Sequence, residues 1–191
     1  MVENGRICYS MCPENTISDT SWIRPGKAFR DCSLTTKGSK EIIDYCAYQG
    51  LEYVHLDAGW YGKETSSSSD ASTVSAKDLN LTDVISYGKT KGIGVILYVN
   101  KRALTRQYKE IFPLYKEWGI AGVKFGFIDG RSQAGINFVH KAVKEAAKNH
   151  LIVDVHDNYR PTGMSRTYPN LLTQEGVRGN EQFPYARENT I

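Results

Sequence analysis

Apolar positions follow two different spacings that alternate along the chain. Helical spacing of three to four residues predicts four helices, at residues 37–49, 81–91, 103–118 and 133–149. Pro113 lies inside the third of these segments and predicts a kink or break there. Short β-branched or aromatic runs between and around the helices predict six strands, at residues 22–23, 51–56, 93–99, 121–127, 151–155 and 171–173.

Strands that alternate with helices indicate βαβ units and therefore a parallel sheet. The run at residues 93–99 is almost continuously apolar, which is typical of a strand covered on both faces. No GxGxxG motif follows the first strand. The pattern leaves two architectures open, a doubly wound sheet and a (β/α)8 barrel.

The polar residues that follow the predicted strands favour the barrel. Each strand after the first is followed by side chains that suit chemistry, and a lysine stands inside the fourth strand: Asp57, Trp60, Asn100, Lys101, Lys124, Asp129, His156, Asp157, Glu175 and Glu181. In a (β/α)8 barrel the carboxyl ends of all strands meet on one catalytic face. A doubly wound sheet would concentrate its signature at one or two loops.

Each of these residues also has a structural explanation. Asp57 suits a cap on the segment that follows it, His156 suits a satisfied core histidine, and Asp157 and Glu181 suit surface carboxylates. Lys124 is harder to explain in this way, because a lysine within an apolar strand is costly unless it is paired. Their joint position after successive strands is what indicates a site.

Two carboxylates that face each other across a pocket suit glycoside hydrolysis. One is protonated and supplies a proton to the leaving oxygen, while the other is ionised and either activates water or attacks the sugar. Several carboxylates near one point also suit calcium, which prefers hard oxygen ligands.

Composition excludes some classes of partner. The chain of 191 residues has a formal net charge of +3 and no lysine- or arginine-rich run, so we expect no nucleic-acid partner. No stretch approaches the roughly 20 apolar residues that span a bilayer, so we expect no membrane partner. The four cysteines lack metal-ligand spacing and are expected to be free thiols: Cys8, Cys12, Cys32 and Cys46.

Four segments together resemble glycoside hydrolase family 97, of the α-glucosidase type. They are SWIRPGK at 21–27, YVHLDAGWYG at 53–62, GVKFGF at 122–127 and HDNYRPTGMSRTYPNLLTQEGVRGNE at 156–181. The resemblance runs from about residue 20 to the end of the chain. It implies a catalytic (β/α)8 barrel, and we expect residues 1–191 to supply about six of its eight βα units.

The resemblance also implies roles for individual residues. Glu181 matches the general acid, and Glu175 matches a carboxylate that binds calcium. Asp157 stands where inverting members carry a glutamate that serves as general base and calcium ligand. The positions of Trp60, Lys124 and His156 match residues that contact the sugar, and Asp57 is placed with them as a substrate-binding candidate. The implied calcium ligands are therefore Asp157, Glu175 and Glu181.

Two departures from the retaining members point toward inversion. Those members carry a nucleophilic aspartate two residues after the strand-four lysine, where this chain has Gly126. They also carry a glycine where this chain has Asp157. Asp129, three residues past Gly126, is an alternative candidate for the nucleophile. After the third strand, where inverting members carry a second base-type glutamate, Asn100 and its neighbours offer no carboxylate.

The sequence therefore predicts an inverting, calcium-dependent enzyme that releases terminal α-linked glucose from oligosaccharides. Three alternatives remain: an α-galactosidase of the same family, a carbohydrate-binding protein with impaired catalysis, and, remotely, a Schiff-base aldolase that uses Lys124. The family resemblance further implies an N-terminal β-sandwich and a C-terminal β-domain, which these 191 residues do not include. It also implies a periplasmic or secreted parent, and we expect this chain alone to have little or no activity.

Overall fold

The computed structural model describes residues 10–15, 17–157 and 159–176. In these residues six strands alternate with four α-helices. Their bounds are β1 Ala28–Asp31, α1 Thr36–Gln49, β2 Tyr53–Leu56, α2 Leu81–Lys91, β3 Gly94–Asn100, α3 Lys101–Trp118, β4 Gly122–Ile128, α4 Gln133–Lys148, β5 Ile152–Asp157 and β6 Leu171–Gln174.

All six strands are parallel and lie in the sheet in chain order, β1 to β6. One α-helix lies between each pair of successive strands from β1 to β5. Only a short 3₁₀ turn lies between β5 and β6. The sheet curls into part of a (β/α)8 barrel with the helices outside. This confirms the predicted fold class.

The first strand lies later in the chain than predicted. Trp22 and Ile23 form no strand, because the chain turns there: the Trp22 indole donates to the Asp19 carbonyl and its ring stacks on His150, with ring centroids 4.9 Å apart. The strand that pairs with β2 begins at Ala28, after Pro25 and Gly26.

Local signals fix the helix ends. The N-cap side chains of Thr35, Asn80, Asn100 and Ser132 each accept a backbone N–H of the first turn. Gly50, Gly92 and Gly119 end the first three helices in the left-handed conformation. The break predicted at Pro113 is wrong: α3 continues through it to Trp118, with the proline on the exposed side of the helix.

The two faces of the sheet have different characters. The outer face packs on the helices through a large apolar core that includes Phe112, Val123 and Val139. The inner face has a small apolar cluster, Tyr53, Ile96 and Ile152, toward the start of the strands. Because side chains alternate along a strand, the next inward positions are His55, Tyr98 and Asp154. The inner face thus becomes polar toward the carboxyl ends of the strands.

Among the described residues, no helix is both long and apolar enough to cross a membrane. Cys12, Cys32 and Cys46 are free thiols, as predicted, and Cys8 lies outside the described residues.

Candidate functional site

The carboxyl ends of β5 and β6 bring three predicted site residues into contact. His156 lies between two carboxylates: its Nδ1 is 3.1 Å from Oδ2 of Asp157, and its Nε2 is 3.4 Å from Oε2 of Glu175. The Glu175 oxygen also accepts the backbone N–H of Asp157, at 2.6 Å. The strand order places these side chains together although 18 residues separate Asp157 from Glu175.

The Asp157 carboxylate is held by the neighbouring strand. Its Oδ2 accepts the backbone N–H of Phe127, at 2.6 Å. The register between β4 and β5 shifts between Phe125 and Ile128, and both Phe127 (φ 56°) and Asp157 (φ 71°) have left-handed backbone conformations. Such conformations are strained for residues other than glycine and occur often at functional sites. The carboxylate is therefore fixed at the end of β4 as well as β5.

Lys124 lies on the inner face, one position below this cluster. Its Nζ is 3.7 Å from Oδ2 of Asp154 on β5. Burial raises the pKa of Asp154 above its usual value, although the charge of Lys124 opposes this shift. The pairing explains how a lysine is tolerated within the strand. Asp154 was not among the predicted site residues, because it stands inside an apolar run where a partner for Lys124 cannot be identified from sequence.

His55 lies on the same inner face and is 5% exposed. Burial, and then the charge of Lys124, lower its pKa from 6.5 to about 4. Its Nε2 has no hydrogen-bond partner in the described structure. His55 is therefore neutral near pH 7, which keeps a second positive charge away from Lys124.

The neutral state of His55 predicts acid sensitivity. A histidine whose pKa is lowered by folding stabilises the protein fully above pH 6.5, and this contribution is lost as the pH falls toward 4 because the unfolded chain binds the extra proton. At about 1.4 kcal/mol per pKa unit, we expect His55 to account for about 3 kcal/mol of lost unfolding free energy between pH 7 and 4. Urea unfolding of the intact protein and of His55→Gln at both pH values measures this. An equal loss in the variant would contradict it.

Asp57, directly after β2, is engaged by Arg30 of β1 and by Cys32, which follows β1. The guanidinium of Arg30 forms an ion pair with Oδ2, and the Cys32 thiol lies 3.7 Å from the same oxygen. Burial acts to raise the pKa of Asp57, but the Ala58 amide and Arg30 outweigh it, and the pKa is below its usual value. Asp57 is thus an ionised group at the barrel mouth, and its role in substrate binding stays a prediction.

Trp60 does not present a surface to a sugar. Its side chain is completely buried, its indole donates to the Tyr98 carbonyl at 2.7 Å, and its ring packs edge-on against Tyr61 and Tyr115. The prediction that this side chain contacts the substrate is therefore corrected. In the described structure Trp60 is a core residue that joins the loop after β2 to β3.

Two residues at the mouth, Glu64 and Tyr98, were missed by the sequence analysis. Glu64, in the loop after β2, is half-buried, and burial raises its pKa above the usual value. Tyr98 and Asn100 are each 4% exposed. Glu64 escaped notice because it precedes a serine-rich stretch, and Tyr98 because it stands in an apolar strand whose tyrosine suits the core equally well.

The space above Gly126 is filled by Tyr98. A Cβ atom placed on Gly126 would overlap the Tyr98 hydroxyl and ring. The other candidate on this segment, Asp129, uses Oδ1 to accept both the backbone N–H and the Nε of Arg131, at 3.0 and 3.1 Å. These bonds lower the pKa of Asp129. Asp129 is thus a surface carboxylate engaged with Arg131.

The structure describes only some of the residues predicted to serve as general acid and calcium ligands. Glu181 lies outside the described residues. Asp157 and Glu175 offer the hard carboxylate oxygens that calcium prefers, which fits the donor type. In the part of the chain that the structure describes, no group of three acidic, histidine or cysteine side chains is arranged to hold a metal. Calcium therefore stays a prediction.

Comparison with known proteins adds a family match and two curated relatives. The family model described as glycoside hydrolase 97 matches residues 21–177. A retaining α-galactosidase from Bacteroides thetaiotaomicron is 32% identical over 94% of this chain, and a probable retaining α-galactosidase from Streptomyces bingchenggensis is 30% identical over 90%. The chain spans 28% of the length of each.

Solved structures show the same fold. A family 97 enzyme from Pseudoalteromonas sp. strain K8, in complex with acarbose, superposes with a TM-score of 0.80 at 25% identity, over 92% of this chain and 33% of that one. A β-arabinopyranosidase superposes with a TM-score of 0.76 at 18% identity, over 94% of this chain and 30% of that one, which is a likeness of fold alone.

Proposed function

Because the chain belongs to glycoside hydrolase family 97, we propose that it forms part of the catalytic centre of an enzyme that removes terminal α-linked hexoses, with α-galactose preferred. The observation that carries the proposal is the Asp157 carboxylate, held at the carboxyl ends of β4 and β5 by the Phe127 amide and beside His156. The preference for galactose is supported by the two curated relatives, both of which are called retaining α-galactosidases.

In this proposal Asp157 acts on the anomeric carbon and Glu181 protonates the leaving oxygen. The two curated relatives favour retention. Retention needs a carboxylate nucleophile, and Gly126 supplies none. Asp157 is the carboxylate that contacts the segment directly after Gly126, through Phe127. Asp157 would therefore attack the sugar, and a water would release it with Glu181 as base. Lys124 and His156 would bind sugar hydroxyls.

We also propose that Asp157, Glu175 and Glu181 hold a calcium ion. When bound, such an ion orients groups in the site and stabilises developing negative charge. His156 would keep the Asp157 and Glu175 carboxylates apart and aligned, since it contacts both. The periplasmic or secreted location of the parent protein remains a proposal alongside these.

A second candidate is the inverting α-glucosidase that the sequence predicted. Gly126 favours it, because the nucleophile of the retaining members is missing, and a similar enzyme has been solved with acarbose and with panose. In that case Asp157 would activate a water, with the acid and base carboxyls about 6.5–9.5 Å apart.

The test uses this chain as part of a complete (β/α)8 barrel, because the 191 residues alone are expected to have little or no activity. It compares p-nitrophenyl α-galactoside with the α-glucoside, with added calcium and again with a chelator. Proton NMR then identifies the first anomer released. We expect faster release from the galactoside, as α-galactose, with turnover lost on chelation. Release of β-glucose would establish the inverting candidate instead. A folded protein that cleaves neither substrate would refute both.

A further inference from the structure

Lys124 on β4 and Asp154 on β5 lie side by side on the inner face of the sheet. The two residues are partners in the register of these strands, and Nζ of Lys124 is 3.7 Å from Oδ2 of Asp154. In the part of the chain that the structure describes, Asp154 is the only carboxylate within ion-pair distance of this ammonium. One charged partner therefore sets the position of the ammonium.

The pair lies at the border between the apolar and the polar parts of the inner face. Residues two apart on a strand face the same side. Ile152, two residues before Asp154, belongs to the small apolar cluster, whereas His156, two residues after it, contacts both carboxylates of the candidate site. An ammonium turned toward the apolar layer would lose its polar partners, which is costly. Asp154 thus holds the ammonium at the edge of the candidate site.

The ion pair leaves the ammonium able to bind a ligand. A separation of 3.7 Å is too long for a hydrogen bond, so Asp154 orients the ammonium without occupying its three N–H donors. The side chains of Lys124 and Asp154 are 20% and 31% exposed, so both are open to the barrel interior. A sugar hydroxyl can therefore accept a hydrogen bond from Lys124 while the ion pair is intact.

A lysine gains from such a partner because its charge sits at the end of a flexible four-carbon stem. Ordering that stem when the sugar binds would cost conformational entropy and weaken affinity. An ion pair that exists before the sugar arrives has already ordered the stem. The pair on β4 and β5 therefore prepares the ammonium for binding.

We propose that Asp154 is a positioning residue, which holds the Lys124 ammonium in place to donate a hydrogen bond to a hydroxyl of the terminal sugar. The inference rests on the proposed function, in which Lys124 binds the sugar, and it gives Asp154 a part in substrate affinity. Such a hydrogen bond lies outside the bond that breaks and is made equally in the ground state and the transition state. Its loss should therefore raise KM and leave kcat nearly unchanged.

Three variants, made in the complete barrel, test this pair: Asp154→Asn, Lys124→Met and the double variant. The measurements are kcat and KM on p-nitrophenyl α-galactoside. We expect Lys124→Met to raise KM by about 10- to 100-fold, the effect of losing one hydrogen bond from a charged group. Asp154→Asn should raise KM by about tenfold, within the range of coupling between contacting residues, with kcat changed by less than about threefold. The double variant should have the KM of Lys124→Met, because Asp154 acts only through the ammonium.

The matched control is Asp44→Asn. Asp44 forms an ion pair of 2.8 Å with Lys91 between the outer helices α1 and α2, so its replacement should leave KM unchanged. A purely structural role for Asp154 would lower the melting temperature and leave KM unchanged. That result, or effects that multiply in the double variant, would overturn the inference while the proposed function stands.

The double variant also decides the matter if Asp154→Asn alone does not fold, because it leaves no unpaired charge on the inner face. A KM equal to that of Lys124→Met supports the inference, and a further rise overturns it. Failure of the proposed function is distinguishable. A wild-type barrel that neither cleaves α-galactosides and α-glucosides nor binds them in calorimetry would overturn that function, and the inference with it.

Discussion

Replacing Asp157 with asparagine is expected to lower kcat of the intact protein by about 10⁴-fold or more, as removal of a nucleophile or its activating base does in other hydrolases. The fold should survive, because the asparagine oxygen still accepts the Phe127 amide that now binds Oδ2. In the proposed mechanism, what is lost is the negative charge that would face the anomeric carbon. The measurement is kcat on p-nitrophenyl α-galactoside, with the melting temperature followed by circular dichroism.

Asp129→Asn is the matched control for this change. Asp129 is bonded to Arg131 on the surface, so we expect kcat within about twofold of wild type, the scale of an ordinary surface change. If kcat falls in Asp129→Asn and not in Asp157→Asn, Asp129 would be the nucleophile, and the active site would lie near the start of α4.

Gly126→Asp is expected to destabilise the protein, although it restores the lysine–x–aspartate pattern of retaining family members. The new Cβ would overlap the Tyr98 hydroxyl and ring, and overpacking of this kind costs about 1–3 kcal/mol of unfolding free energy. Urea unfolding of the wild type and the variant measures this difference.

A Tyr98→Leu background supplies the control for Gly126→Asp. Leucine vacates the volume above Gly126, so the added cost of the second substitution should fall below about 1 kcal/mol if the two side chains compete for one space. A Gly126→Asp variant that is as stable as wild type and more active would show that Tyr98 is not held there.

The architecture could be predicted because it depends on patterns within short segments of the sequence. The spacing of apolar residues and the length of each segment distinguish the four helices from the strands. Glycines mark the ends of the first three helices. The parallel order then requires the residues that follow β5 and β6 to meet, and His156, Asp157 and Glu175 do meet. Lys124 was recognisable because a charged side chain in an apolar strand needs a partner.

The parts that could not be predicted depend on contacts between distant segments. Trp60 looks like a sugar platform in sequence, and only the packing of Tyr115 from α3 shows that it is buried. Glu64 has no periodic pattern around it, and its position depends on how a long loop folds back over β3. Trp22 has strand propensity, but its stacking on His150 and the turn at Asp19 outweigh that preference.

The left-handed backbone at Phe127 and Asp157 has a consequence for directed evolution of this protein. β-branched side chains avoid that conformation, whereas glycine, asparagine and aspartate tolerate it. A library that randomises both positions fully would therefore lose its valine, isoleucine and threonine members to misfolding before any selection for activity. Restricting position 157 to aspartate and asparagine, and varying position 127 only among residues without a branched Cβ, would keep most clones folded and let the screen report on sugar specificity.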